Sequence, residues 1–268
     1  MIRLSNIKLP LDHDEQALDQ AILTTLEITP EQLISFNMFR RGYDARKKSN
    51  IFLIYTLDIE VAAALEAELL IKFADDQLIK QTPDLEYHYV AQAPEDLKER
   101  PIIVGFGPCG LLAGLTLAQM GYNPIILDRG KEVRERTKDT FGFWREKKLN
   151  TESNVQFGEG GAGTFSDGKL YSQVKDPKQY GRKVLTEFVT SGAPAEIMYV
   201  SKPHIGTFKL VSMVEKMRAE IIRLGGEIRF SSRVDDIDIE KIEGQEQGNR
   251  ITGLTLSTGE KLKSNHIA

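Results

Sequence analysis

Apolar and polar positions alternate along the first part of the chain in two recognisable rhythms. Residues 2–9 follow the two-residue period of a half-buried strand, and residues 12–26 follow a helical one, with Leu18, Ile22 and Leu26 four apart. Residues 33–43 and 50–60 read as two strands, the second rich in Ile, Leu, Phe, Tyr and Val, joined through a polar stretch carrying Gly42, Asp44 and Ser49. Residues 62–73 make an amphipathic helix, and a strand at 77–81 completes the order β-α-β-β-α-β, which is ferredoxin-like. Residues 82–101 carry more proline and charge and less periodicity, and read as a surface linker.

A different pattern begins at Pro101. The apolar strand Ile102-Ile103-Val104 runs into Gly105-Phe106-Gly107-Pro108-Cys109-Gly110, which has the spacing Gly-x-Gly-x-x-Gly. Gly105 suits a tight turn, Gly107 lets backbone approach a pyrophosphate, and Gly110 lets the following helix pack close to the strand. That helix spans 111–120, with Gly114 a further small residue four positions on. The chain turns at Gly121-Tyr122-Asn123, re-enters a strand at 124–127, and ends it on Asp128, 18 residues beyond Gly110. A carboxylate there accepts hydrogen bonds from a ribose diol and repels a 2′-phosphate, an effect that Arg129 weakens slightly. The expectation is an α/β chain of two domains. Residues 1–95 form a small α+β module with its linker, and 96–268 a Rossmann-like domain whose 101–128 unit binds the ADP half of a dinucleotide.

Gly158-Glu159-Gly160-Gly161-Ala162-Gly163 repeats the glycine spacing in the wrong setting. Residues 154–157 are too short and polar for a buried strand, and no helical stripe follows. Two readings remain, a surface loop or a lid whose backbone N–H groups converge on an anion, and the run of glycines favours the lid. Cys109 is either a redox thiol or a small residue at a helix start. With no second cysteine in the chain, the second reading is favoured.

Composition narrows the setting. Hydrophobic residues at 41% allow a core of ordinary size, and a net charge of −4 gives no overall bias toward nucleic acid. One cysteine excludes an internal disulfide framework and a Cys-rich zinc site, so no metal is expected. No stretch approaches the roughly 20 apolar residues of a membrane span, and the N-terminus lacks a signal-peptide core, so a cytoplasmic protein is expected.

The stretch 154–170, Asn-Val-Gln-Phe-Gly-Glu-Gly-Gly-Ala-Gly-Thr-Phe-Ser-Asp-Gly-Lys-Leu, resembles the signature of the uncharacterised bacterial FAD-dependent dehydrogenases, in the glutathione-reductase-like flavoprotein superfamily. The resemblance spans residues 101–240, with looser similarity before it. It implies an FAD-dependent oxidoreductase with FAD extended across the domain. Gly105, Gly107, Pro108, Cys109 and Gly110 would face the pyrophosphate. Asp128 would take the adenosine ribose, flanked by Arg129 and Gly130. Gly161, Gly163, Thr164 and Ser166 would approach the flavin half. A later strand reads adenine through its backbone in this superfamily. Its counterpart is 226–234, after a helix at 208–224 that stops at Gly225, with Val234 as the candidate contact.

Residues 202–207, Lys-Pro-His-Ile-Gly-Thr, resemble a second family stretch that usually continues with Asp, where this chain has Phe208. The departure argues against a substrate role for that loop. His204 reads as an acid–base group near the flavin or, as partnerless loop histidines more often are, as structural or solvated. No catalytic residue is assigned.

Short strands at 250–257 and 261–267 resemble the β-excursion before the last parallel strand of such folds. That strand, a substrate domain and a second flavin contact are not visible. The FAD site is therefore expected to be recognisable but incomplete, holding FAD weakly and turning over poorly. NAD(P)H, if used, would be a transient electron donor, and the small-molecule substrate is unassigned. Two alternatives stand beside the oxidoreductase. One is an RNA-associated flavoprotein using the basic run Arg40, Arg41, Arg46, Lys47 and Lys48, although a solvated hairpin loop is the simpler reading of that run. The other is a non-catalytic FAD-binding protein.

Overall fold

The computed structural model describes residues 1–171, 174–241 and 248–268. Among them the chain is a mixed α/β protein with six α-helices and three sheets. It forms two compact units, Met1–Glu86 with Tyr171–Leu185 and Ala195–Pro203, and Tyr87–Leu170 with Thr186–Pro194 and His204–Ala268.

In the first unit the expected β-α-β-β-α-β order is present: β1 (Ile2–Pro10), α1 (Ala17–Leu26), β2 (Ser35–Asp44), β3 (Phe52–Glu60), α2 (Ala63–Lys72) and β4 (Ile79–Gln81). The strands lie in the order β2-β3-β1-β4, each neighbouring pair antiparallel. Register follows from burial. Ile2 faces Ile59 and Leu4 faces Leu57, so strand alternation puts all four on one side. Leu18, Ile22 and Leu26 of α1 descend on that side and complete the core. The helix starts five residues later than its spacing suggests, because Asp12, His13 and Asp14 are spent on a turn in which His13 Nε2 meets the Tyr55 hydroxyl at 2.7 Å. The free edge of β2 is covered within this unit: Arg41 N–H donates to Tyr199 O (2.7 Å), and Ser201 N–H donates to Arg41 O (3.0 Å).

The second unit is built on the parallel strands β5 (Ile102–Val104), β6 (Ile125–Leu127) and β7 (Glu227–Arg229), in that spatial order. Helix α3 (Pro108–Gln119) links β5 to β6. Helix α6 (Thr207–Arg223) precedes β7 and buries Leu210, Met213, Val214, Met217 and Ile221 along one stripe. An antiparallel sheet follows, of β8 (Val234–Lys241), β9 (Asn249–Leu256) and β10 (Lys261–Lys263).

Four expectations need correction. The strand expected at 226–234 is two elements. The backbone breaks at Ser231, which takes a left-handed φ of 52°, and Val234 opens β8 in the other sheet, opposite Leu256. The strand expected at 261–267 also splits, at the fully buried Ser264, whose hydroxyl donates to Arg100 O (2.9 Å). Beyond it the last parallel position is occupied after all. Ile102 N–H donates to His266 O (2.8 Å), and the N–H of Ala268 donates back to Ile102 O (2.9 Å). Residues 266–268 thus lie parallel to β5. Finally, α4 (Val133–Glu146) and α5 (Tyr180–Thr190) arise where no element was expected. The buried face of α4 is Val133, Arg136 and Thr140, two of them polar, and α5 has no fully buried residue, although Val184, Leu185, Phe188 and Val189 recur along it at helical spacing and are half-buried.

No helix among the described residues is long and apolar enough to cross a membrane. Ile22 is fully enclosed in the first unit's core. Ile22→Ala is expected to lower stability by about 2–5 kcal/mol, through lost burial and the cavity left behind, read as a lower urea midpoint with unchanged slope.

Candidate functional site

The glycine spacing at 105–110 becomes geometry at the junction of β5 and α3. Gly105 has φ +105°, which side chains other than glycine's rarely allow. Gly110 is set by packing: a Cβ there would lie 1.9 Å from Gly105 O. The same holds one turn on, where a Cβ on Gly114 would lie 2.3 Å from Ile126 Cδ1. Gly107 differs from both. Its φ is ordinary, at −73°, and a Cβ on it would meet nothing within 4 Å. Open space therefore lies directly before α3. That helix begins with proline and has no side-chain cap, so the first-turn N–H groups of Cys109 and Gly110 have no intrahelical acceptor.

Asp128 closes this turn from the end of β6. It is 5% exposed, and both its oxygens are engaged: Phe106 N–H donates to Oδ2 (2.7 Å) and Gly130 N–H to Oδ1 (2.7 Å). Bonds of this charged kind contribute about 1.5–3 kcal/mol each. Each oxygen keeps a further lone pair, so the carboxylate can still accept from a ligand.

Gly105, Gly107, Asp128, Arg129 and Val234, distant in sequence, line one cavity of about 320 Å³, joined by Phe157, Gly158 and Arg233. Arg129 donates two bonds to Glu152 (2.8 and 3.0 Å), and its guanidinium lies 4.2 Å from the centre of the Phe157 ring. Arg233 reaches the same carboxylate at 3.2 Å. Arg129 first, and Arg233 second, hold the Glu152 carboxyl below its ordinary range. Pro108, Cys109 and Gly110 form the helix start beside this cavity, and Cys109 is exposed.

The remaining expected residues lie on or against the second glycine run. A Cβ on Gly130 would lie 2.6 Å from the Gly158 backbone, and one on Gly161, at φ +60°, 2.9 Å from Pro108 Cδ. Gly163 faces open space, and Ser166 is exposed. Thr164 is buried, its hydroxyl donating to Gly161 O (3.0 Å). His204 is exposed on the loop before α6, paired through its backbone with Lys169. In the first unit's basic run, Arg46 is bonded to Asp44, and Arg41 lies over the Tyr199 ring. No cluster of three or more metal-ligating side chains occurs among the described residues.

Two buried charges escape a reading of the sequence. Arg136 of α4 is fully enclosed, and its guanidinium donates to Asn154 O (2.7 Å), Val155 O (2.6 Å), Glu159 O (2.6 Å) and Thr164 Oγ1 (2.9 Å). Burial lowers its pKa to about 10, leaving it charged at neutral pH. Glu159, also fully enclosed, accepts the Val133 N–H at the start of α4 (2.7 Å). Its other oxygen lies 3.3 Å from Arg218 Nε, an ion-pair contact without hydrogen-bond alignment. Burial raises its pKa, with the Val133 bond and Arg218 opposing. The signals available were a lone acid inside a glycine run, and an arginine three residues after Val133.

A family model described as a domain of unknown function (DUF8436) matches residues 1–60. An uncharacterized protein of Clostridium beijerinckii (strain ATCC 51743 / NCIMB 8052) is 42% identical over 236 residues, which cover 88% of this chain and 43% of that protein. The chain thus spans less than half the length of the curated relative it matches. Among solved structures, Thermovibrio ammonificans THI4 aligns with a TM-score of 0.41 at 16% identity, covering 78% of this chain and 65% of that one. The 3-ketosteroid-delta4-(5alpha)-dehydrogenase of Rhodococcus jostii RHA1 aligns at 0.37 and 11% identity, covering 66% and 47%. L-Amino acid deaminase of Proteus myxofaciens aligns at 0.31 and 13%, covering 68% and 47%. At TM-scores this low the likenesses carry no argument here.

The packing makes a paired prediction. Gly110→Ala forces a methyl into the Gly105 carbonyl and is expected to cost about 1–3 kcal/mol or more. Gly163→Ala meets nothing and is expected to be nearly neutral, both read by thermal denaturation.

Proposed function

We propose that the second unit is a Rossmann-like domain that binds FAD, with the ADP half on residues 101–128, and that the protein is an FAD-dependent oxidoreductase. The observation that carries this reading is the open space at Gly107, bounded by an uncapped helix start on one side and the Asp128 cavity on the other. Backbone N–H groups and the positive end of α3 suit a pyrophosphate there. The parallel order of 266–268, β5, β6 and β7, with α3 as the β5–β6 connection, suits a dinucleotide fold. The sequence resemblance at 154–170 is what selects FAD among dinucleotides. The first unit's strand order suits a ferredoxin-like module, with no role assigned to it.

In this reading Cys109 and Gly110 donate backbone N–H groups to the pyrophosphate, and Gly107 leaves it room. Asp128 orients the ribose hydroxyls through its remaining lone pairs and repels a 2′-phosphate. Because Arg129 and Arg233 are both tied to Glu152, neither is a free phosphate clamp, which supports FAD over NADP as the resident group. Backbone near Val234 borders the adenine, and Gly161, Gly163, Thr164 and Ser166 lie toward the flavin half. Bound FAD would supply hydride or electron acceptance. The substrate is unassigned, and NAD(P)H is proposed only as a transient donor. With Arg46 bonded to Asp44 and Arg41 stacked on Tyr199, no contact favours the RNA-associated reading.

Gly107→Ala tests the reading without disturbing the fold. The unbound variant should melt as the wild type does, because its methyl enters empty space at an ordinary φ. Its affinity for FAD and for ADP should fall about tenfold or more, measured by fluorescence titration and calorimetry. A wild-type chain that binds neither ligand, or a variant that binds both as well as wild type, contradicts the proposal.

A further inference from the structure

The buried arginine of α4 is a costly way to fill a core. Removing a guanidinium from water is costly, and an apolar side chain of similar volume commonly serves stability as well or better. Arg136 also constrains its surroundings. A Cβ on Gly158 would lie 2.5 Å from Arg136 Cδ, so a glycine at that point leaves the arginine its channel. The four acceptors of Arg136 spread over residues 154–164, so one side chain fixes both ends and the middle of the loop.

The peptide between Glu159 and Gly160 extends that hold to the nucleotide turn. Its carbonyl accepts from Arg136 (2.6 Å), while its N–H donates to Phe106 O (2.8 Å). Phe106 sits between Gly105 and Gly107. The tie is returned from the loop, since the Glu159 carboxylate caps α4, the helix that carries Arg136. The nucleotide turn has a second, independent support, because Asp128 holds the Phe106 N–H. The loop has single ties elsewhere, such as Glu159 N–H on Lys131 O (3.1 Å), but among the described residues no other side chain donates to more than one of its carbonyls.

We infer that Arg136 is a positioning residue for the flavin half of the cofactor: it holds the 154–164 loop against the nucleotide turn without touching the cofactor itself. The inference rests on the FAD reading above. If Arg136 only stabilised the fold, its loss would weaken all ligands together. If it positions the loop, its loss separates two ligands, because ADP is read by 101–128 and FAD by that unit plus the loop.

The test is the ratio of FAD to ADP affinity in wild type and Arg136→Lys, by calorimetry on the 268-residue chain. Lysine keeps the charge but lacks the planar fork that reaches several carbonyls. FAD affinity should fall about tenfold while ADP affinity changes little. Arg136→Gln keeps one donor amide in the same enclosed place and should move the ratio in the same direction. It carries the test alone should Arg136→Lys fail to fold. An unchanged ratio in the folded variants overturns the inference, and so does a wild-type chain that binds FAD no more tightly than ADP. Either result leaves the nucleotide reading standing. Only a wild-type chain binding neither ligand removes both.

Discussion

The second unit depends on how closely α3 approaches β5. At Gly110 the helix comes so near the Gly105 carbonyl that no side chain fits between them. That approach aims the helix start at the end of the parallel sheet and fixes the turn at Gly105–Gly107. It also leaves the turn's backbone groups to be satisfied from outside the helix and strand. Asp128 meets part of that need by holding Phe106 and Gly130 together. The second glycine run meets another part, through Gly160 N–H on Phe106 O. The space before Gly107 is what remains once those contacts are made.

The buried ions follow from the same constraint. A loop of eleven residues, 154–164, has few regular backbone partners, yet several of its carbonyls are enclosed. Enclosed carbonyls need donors, and one arginine supplies three of them with a donor. Glu159 meets the matching need at the start of α4, whose N–H groups have no side-chain cap from their own N-cap residue. Each segment thus carries the charge that satisfies the other. This explains why both charges tolerate burial, and why the glycine at 158 cannot be replaced without moving the arginine.

Legibility in the sequence tracked the range of the interactions. The glycines at 105, 107 and 110 act within a few residues of one another, so their spacing announces a tight turn and a close helix approach, and the structure gives each a distinct geometry. The strands and helices of the first unit were legible because Ile2, Leu4, Leu57, Ile59 and Ile22 all face one apolar core. Helix α4 was masked by Arg136 and Thr140 on its buried face, whereas α5 carried a legible recurrence in Val184, Leu185, Phe188 and Val189. The pairing of 266–268 with β5 joins residues about 164 apart through backbone alone, which leaves no side-chain pattern to read. The break at Ser231 falls in Ser231-Ser232-Arg233, where no glycine or proline marks it, and Val234 beyond it lines the same cavity as Asp128.

The central claim concerns the backbone at the start of α3, so amide hydrogen exchange on the chain with and without FAD tests it most directly. The account predicts slowed exchange at Cys109 and Gly110 and along 158–163 when FAD is present. FAD binding that leaves the amides of Cys109 and Gly110 unprotected, with protection confined to another part of the chain, would contradict it.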